Sequence, residues 1–194
     1  MKHLSLDIET VPLKITDEEI ITYLMDKKIS KESRSFNPHY SKIITICIKP
    51  FGEETKTFSG ENEKEILENF WTFLKQIENF TIVTHNGYKF DIPFINIRSS
   101  INNVNRLKIN MNRWTMENSN HFDVMLFFSQ QETFTNTNLN ILAKMNGIEV
   151  KETIKGNEIE QNYHDQNWDK ITTKCQQDVI LLEKLFDKFC RPSF

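Results

Sequence analysis

Two acidic residues lie two positions apart in an alternating stretch near the start of the chain. Residues 3–10 read HLSLDIET, in which apolar and polar residues alternate. This period of two predicts a β-strand, on which Asp7 and Glu9 project from the same side. Two adjacent carboxylates repel each other and resist burial, and a hard divalent cation such as Mg²⁺ or Mn²⁺ relieves both effects. The alternative is an ordinary strand whose acidic residues face water, and the pair alone does not distinguish the two.

A third acidic residue, Asp91, follows a predicted strand-to-helix junction. Residues 84–94 read THNGYKFDIPF, and Asp91 is the only acid among them. The segment follows a short apolar strand predicted at 80–84 and enters a helix predicted to begin at Lys89 or Phe90. A carboxylate in the first turn of a helix is stabilised by the helix dipole, and it also points back toward the end of the sheet. The segment therefore fits both a structural turn and a functional position at the sheet edge.

A fourth acidic residue, Asp178, lies within the apolar face of the last predicted helix. This helix begins at Asn167 or Asp169 and runs to about Cys190, and its apolar face comprises Ile171, Cys175, Leu182, Leu185 and Phe189. A single acid on such a face needs a partner. A salt bridge to Lys174, one turn earlier, supplies one; a metal ion shared with the other carboxylates is the alternative.

The other periodic segments indicate the elements that must position these residues. They are a helix at 16–28 capped by Thr16, strands at 42–49 and 53–58, and helices at 61–78 and 139–145. Residues 29–41 lack such a period and predict a loop. The whole pattern, without repeats or a linker, predicts a single α/β domain over residues 1–194. We expect a central mixed β-sheet flanked by α-helices, into which three antiparallel strands lead.

One basic stretch could contact nucleic acid. Residues 92–116 contain no Asp or Glu but include Arg98, Arg106, Lys108, Arg113 and Trp114. This composition fits either a solvated connector or a groove for a phosphate backbone. Because the net charge of the chain is -3, any attraction to nucleic acid must be local.

Cysteine usage and hydropathy indicate the compartment. The three cysteines, Cys47, Cys175 and Cys190, are widely spaced and odd in number, which fits a reducing compartment better than a disulfide framework or a zinc site. No signal-peptide pattern and no apolar run long enough to span a bilayer are present in the sequence. We expect a soluble, cytoplasmic protein that does not bind membranes.

Taken in order, the acidic motifs resemble those of the DEDD-type 3'–5' exonucleases of the ribonuclease H-like fold. The sequence is most similar to the exonuclease domains of family-B DNA polymerases and their free-standing relatives. Residues 7–10 resemble the first motif of the family, residues 85–91 the second, and Asp178 the third. The segments at 121–125 and 139–144 resemble the connecting segments of the family. Each motif alone is weak, but three in the expected order and context are specific.

The resemblance implies phosphodiester hydrolysis by two metal ions. Asp7, Glu9 and Asp178 would hold one Mg²⁺ or Mn²⁺ ion, which activates water. Asp7, with outer-sphere help from Asp91, would hold the second, which stabilises the leaving 3'-oxygen. The resemblance also assigns substrate contacts to Ile8, Thr10, Asn86 and Phe90.

The substrate implied by the resemblance is the 3' end of single-stranded DNA, with RNA as the alternative. Because 194 residues leave no room for a polymerase domain, proofreading would require a separate polymerase or replication protein as partner.

One position departs from the family pattern. The polymerase-like branch has Tyr four residues before the last Asp, where Lys174 stands here, and the other large branch has His five residues before, where Thr173 stands here. A protonated lysine donates hydrogen bonds but cannot accept a proton. Lys174 therefore replaces the Tyr as a catalytic residue, weakens catalysis, or marks a polymerase-accessory module that binds nucleic acid without cutting it. We expect the first, because all four carboxylates are retained.

Overall fold

The computed structural model describes residues 1–112 and 119–190. Within them lies a mixed sheet of five strands in the order β3-β2-β1-β4-β5. The strands are β1 (Lys2–Pro12), β2 (Ser41–Pro50), β3 (Lys56–Ser59), β4 (Phe80–Thr84) and β5 (His121–Asp123). Strands β1, β2 and β3 are antiparallel, whereas β4 and β5 run parallel to β1. The predicted α/β fold with a mixed sheet is confirmed.

Helices cover both faces of this sheet. They are α1 (Glu18–Asp26), α2 (Lys31–Arg34), α3 (Glu63–Lys75), α4 (Asp91–Ile101), α5 (Val124–Phe128), α6 (Leu139–Met145), α7 (Ile159–His164) and α8 (Trp168–Leu185). A 3₁₀ turn at Gly156–Glu158 precedes α7, and a π-helical turn at Phe186–Cys190 extends α8. Helices α3 and α4 pack on one face of β1 and β2, and α8 packs on the other. Among the described residues, no helix is both long enough and apolar enough to cross a membrane.

Several element boundaries differ from the sequence prediction. The side chain of Asp17, not Thr16, caps α1 by accepting a hydrogen bond from the Ile20 amide at 3.0 Å. The predicted loop at 29–41 contains α2, whose cap is Ser30. Strand β3 begins three residues later than predicted because a turn with Gly52 at φ 78° precedes it. Strand β5, helix α5 and helix α7 were not predicted, since segments this short show no clear period.

The basic stretch at 92–116 is only partly available for contact with nucleic acid. Arg98 is 6% exposed, and its guanidinium binds Glu63 through Nε at 2.9 Å and Nη2 at 2.5 Å. Arg98 therefore joins α4 to α3 and is not available to a phosphate backbone. Arg106 and Lys108 are exposed, whereas Arg113 and Trp114 lie outside the described residues.

Candidate active site

The register of β1 turns its two acidic residues toward α8. Asp7 pairs with Cys47 of β2, and directly paired residues share a face of the sheet. Because Cys47 packs against Cys175 and Val179 of α8, Asp7 also faces that helix. Glu9, two residues on, is 6% exposed. The interpretation that these acidic residues face water is therefore wrong.

Asp91 reaches the same edge from the start of α4. Strand β4 pairs with β1 only as far as Ser5, so the part of β1 after Ser5 has no paired strand on that side within the described residues. On that side the Ile8 backbone of β1 lies beside the Asp91 carboxylate and favours its charged form. Asp91 is 2% exposed, and burial raises its pKa to about 8 although the Ile8 backbone acts in the opposite direction. Asp91 is therefore held beside Asp7 and Glu9.

The turn that carries Asp91 is fixed by Asp123, a residue to which the sequence analysis gave no role. The Asp123 carboxylate accepts hydrogen bonds from the backbone amides of Asn86 and Tyr88, each at 3.0 Å, and also caps α5. Asn86 lies in the left-handed region at φ 65°. An acid directly before the apolar run at 124–128 is a helix-cap signal that could have identified Asp123.

Lys174 of α8 joins two of the carboxylates. Its Nζ atom lies 2.7 Å from Glu9 Oε1 and 2.9 Å from Asp178 Oδ2. The side chains of these three residues are 15%, 7% and 13% exposed. Burial lowers the pKa of Lys174, but the charges of Glu9, Asp7 and Asp178 outweigh it and raise the pKa above its ordinary value. The predicted salt bridge between Lys174 and Asp178 is present, and it also includes Glu9.

Lys174 does not neutralise all of the negative charge of the cluster. Burial, followed by the charges of Asp178 and Glu9, raises the pKa of Asp7 well above its ordinary value. Burial also raises the pKa of Glu9 to about 6, despite the neighbouring ammonium. Asp7 Oδ2 and Asp91 Oδ1 are buried and have no hydrogen-bond partner. Carboxylate oxygens in this state fit a hard divalent cation.

A thiol also lies beside these carboxylates. Ligand atoms of Asp7, Glu9 and Cys175 lie within 4.8 Å of one another. The Cys175 Sγ atom lies 3.4 Å from the Asp7 carbonyl oxygen, to which it donates. Burial raises the pKa of the Cys175 thiol well above its ordinary value, so the thiol stays protonated and is a poor metal ligand. The donor set is therefore one of carboxylates.

A cleft of about 440 Å³ opens beside the cluster. Of the predicted substrate contacts, Ile8, Thr10 and Phe90 line it, together with Asp7, Glu9 and Lys174. Asn86 is not part of its wall and lies in the turn before α4.

The segment after α2 also lines the cleft, through Ser35 and Phe36. The Thr10 hydroxyl donates to the Ser35 carbonyl at 2.8 Å, which ties this segment to β1. Phe36 is 70% exposed, and its ring centroid lies 5.9 Å from that of Phe90. The sequence analysis missed Phe36, because a single aromatic residue in a predicted loop carries no signal.

Comparisons with known proteins show which sequences this chain resembles. A family described as "Predicted 3'-5' exonuclease related to the exonuclease domain of PolB" matches residues 34–190. The catalytic polypeptide of DNA polymerase epsilon from Aspergillus fumigatus is 30% identical over 125 residues, which span 54% of this chain and 5% of that protein. Its counterpart from Dictyostelium discoideum is 30% identical over 118 residues, which span 50% of this chain and 4% of that protein.

The fold is also found in a solved structure. The family B DNA polymerase of the hyperthermophilic archaeon Pyrobaculum calidifontis superposes with a TM-score of 0.70 at 15% identity, over 97% of this chain and 24% of that one. The chain thus spans only a small part of each of these relatives. Since the family match covers most of its length, the chain belongs to the family of predicted 3'–5' exonucleases related to the exonuclease domain of PolB.

Proposed function

We propose that this chain is a metal-dependent 3'–5' exonuclease that hydrolyses phosphodiester bonds from the 3' end of single-stranded DNA. The observation that carries the proposal is the convergence of Asp7, Glu9, Asp91 and Asp178 around two buried oxygens without hydrogen-bond partners. Family membership and the polymerase relatives support the reaction and the choice of DNA. We also propose that residues 1–194 form one catalytic domain.

Some side chains of the cluster would bind the cation, and others would contact the substrate. Asp7 and Asp91 would hold Mg²⁺ or Mn²⁺, which supplies Lewis-acid stabilisation and a hydroxide nucleophile at neutral pH. Glu9 lines the cleft and can accept a hydrogen bond from the 3'-hydroxyl group, which selects a chain end over an internal bond. The Lys174 ammonium can donate to a phosphate oxygen or to the attacking hydroxide, but it cannot take up a proton.

The aromatic side chains of the cleft suit an unpaired strand. Phe36 and Phe90 both line the cleft and contact each other at a ring-centroid distance of 5.9 Å, and the 70% exposed Phe36 offers a ring face on which a base can stack. Stacking of a base on an aromatic ring contributes about 1–3 kcal/mol and tolerates any sequence. We propose that this pair holds the terminal nucleotides, and that Ile8 and Thr10 form the base of the same cleft.

The test is a degradation assay on 5'-labelled single strands of DNA and RNA with Mg²⁺, Mn²⁺ or a chelator. We expect shortening from the 3' end with either ion, none with the chelator, and faster shortening of DNA. Asp7→Asn should lower the rate by more than about 100-fold, because it removes a charged metal ligand. The matched control is Asp26→Asn, the same change at an exposed position on α1, which should leave the rate unchanged.

Two outcomes would contradict the proposal. Faster degradation of RNA would identify an exoribonuclease. Binding of strands without cleavage under any ion would instead identify a nucleic-acid-binding or polymerase-accessory module.

A further inference from the structure

Lys174 occupies the place that a bridging cation would take in the carboxylate cluster. We propose that this chain binds one divalent cation, between Asp7 and Asp91, and that the Lys174 ammonium permanently replaces a second cation between Glu9 and Asp178. The inference deepens the proposed function and rests on it. It distinguishes this chain from the two-ion pattern that its resemblance implies.

The position of the ammonium is the first observation. Glu9 is on β1 and Asp178 is on α8, and Lys174 Nζ donates to both at 2.7 and 2.9 Å. An ammonium that bridges carboxylates of two separate elements carries positive charge where a shared metal ion would otherwise lie. It therefore offsets the repulsion between Glu9 and Asp178, so that these two carboxylates do not need a metal ion.

The second observation is that the other two carboxylates lack such a partner. Asp7 Oδ2 and Asp91 Oδ1 are, within residues 1–112 and 119–190, the only buried carboxylate oxygens without a hydrogen-bond partner. Both belong to the same cluster, since the charge of Glu9 acts on each of them and the charge of Asp91 acts on Asp7. A buried polar atom without a partner is costly unless an unseen group satisfies it. The remaining cation requirement of the cluster is therefore local to this pair.

The third observation is that Lys174 cannot leave its place easily. Its side chain is 15% exposed. The next residue of α8, Cys175, is fully buried and donates a hydrogen bond to the Asp7 carbonyl oxygen. A second ion would have to displace the ammonium and leave a lysine without partners in a buried position. Breaking a buried pair in this way is strongly unfavourable.

Calorimetric titration of the full chain with MnCl₂ tests the inference. We expect one Mn²⁺ per chain for the wild type. Lys174→Ala should bind two, because the site between Glu9 and Asp178 becomes available. The matched control is Lys49→Ala, which removes a lysine from a similarly buried pair with Glu183 elsewhere on the sheet and should still bind one.

Two further variants keep the test decisive if Lys174→Ala fails to fold. Asp178→Asn should still bind one ion, because the proposed metal-binding site lies between Asp7 and Asp91. Asp91→Asn should weaken Mn²⁺ binding by more than about 10-fold, because it removes a ligand. Melting curves and circular dichroism establish which variants are folded.

The outcomes separate this inference from the proposed function. Two ions in the wild type, no ion in the wild type, or one ion in folded Lys174→Ala would each overturn the inference. Loss of binding in folded Asp178→Asn would do the same. Two ions together with 3'–5' cleavage would refute the inference alone, whereas one ion without cleavage would refute the function and leave the inference standing.

Discussion

Each of the four clustered carboxylates has a different environment, although their intrinsic acidities are similar. Glu9 and Asp178 share the ammonium of Lys174. Among the described residues no cation is paired with Asp91, and its burial raises its pKa to about 8. Asp91 is therefore protonated at neutral pH without a divalent ion and must lose its proton when an ion binds.

This difference predicts that replacing Asp91 removes a loss of stability that the wild type shows as the pH rises. Its folded-state pKa of about 8 is above the ordinary value of 3.8, so between these limits the folded chain binds more protons than the unfolded chain. The contribution of Asp91 to the free energy of unfolding is thus full at low pH and is lost as the pH rises through about 8. In a chelator, Asp91→Asn should melt near the wild type at about pH 4 and higher than it at about pH 8.

The measurement is a series of melting curves across this pH range. Each kcal/mol corresponds to roughly 2–4 °C for a chain of this size. Asp26→Asn, at an exposed position, serves as control and should follow the wild type throughout. An Asp91→Asn variant that melts below the wild type at the alkaline end would show that Asp91 is ionised and favourably paired.

At the scale of single residues, the sequence predicted those features that depend on local backbone geometry. The spacing of two between Asp7 and Glu9 and of four between Lys174 and Asp178 follows from the geometry of a strand and a helix. The contact of Lys174 with Glu9 spans 165 residues and depends on how α8 packs on the sheet. No local pattern encodes that packing.

At the element scale, the turn between β4 and α4 decides where Asp91 lies. Gly87 stands so close to the strand that a Cβ atom there would come within 2.1 Å of Thr84 Oγ1. Thr84 is itself fixed, because its hydroxyl bonds to His121 Nε2 at 2.8 Å. Only a glycine allows this close approach of the turn to the strand.

We therefore expect Gly87→Ala to destabilise the fold. Overpacking of this kind costs about 1–3 kcal/mol, so the melting temperature should fall by several degrees. Gly156→Ala is the matched control, because nothing lies within 4 Å of its added Cβ atom, and its effect should be within about 0.5 kcal/mol. Equal melting temperatures for the two variants would show that the turn adapts without cost.

Long or strongly periodic elements were predictable, and very short ones were not. Strand β4 and helix α6 have the predicted bounds, and α8 begins at Trp168, after its cap Asn167. Strand β5 has three residues and exists through its pairing with β4, a contact between distant segments. Its Asp123 consequently remained unassigned, although it holds the turn that carries Asp91.

At the scale of the whole molecule, β1 is the element on which the site depends. It lies at the centre of the sheet, pairs with β2 and β4, and contacts α4, α7 and α8. The charges of Asp91, Lys174 and Asp178 all act on its Asp7 carboxylate. A net charge of -3 and four clustered carboxylates would repel a phosphate backbone, and under the proposed function a bound cation would reduce that repulsion.

The melting temperature with and without Mn²⁺ tests this central claim most directly. A cation that binds the folded cluster and not the unfolded chain adds about 2.7 kcal/mol at a hundredfold excess over its Kd, or roughly 5–10 °C here. We predict a saturable rise for the wild type and none for Asp7→Asn. No rise at millimolar Mn²⁺, or an equal rise in both proteins, would contradict the account.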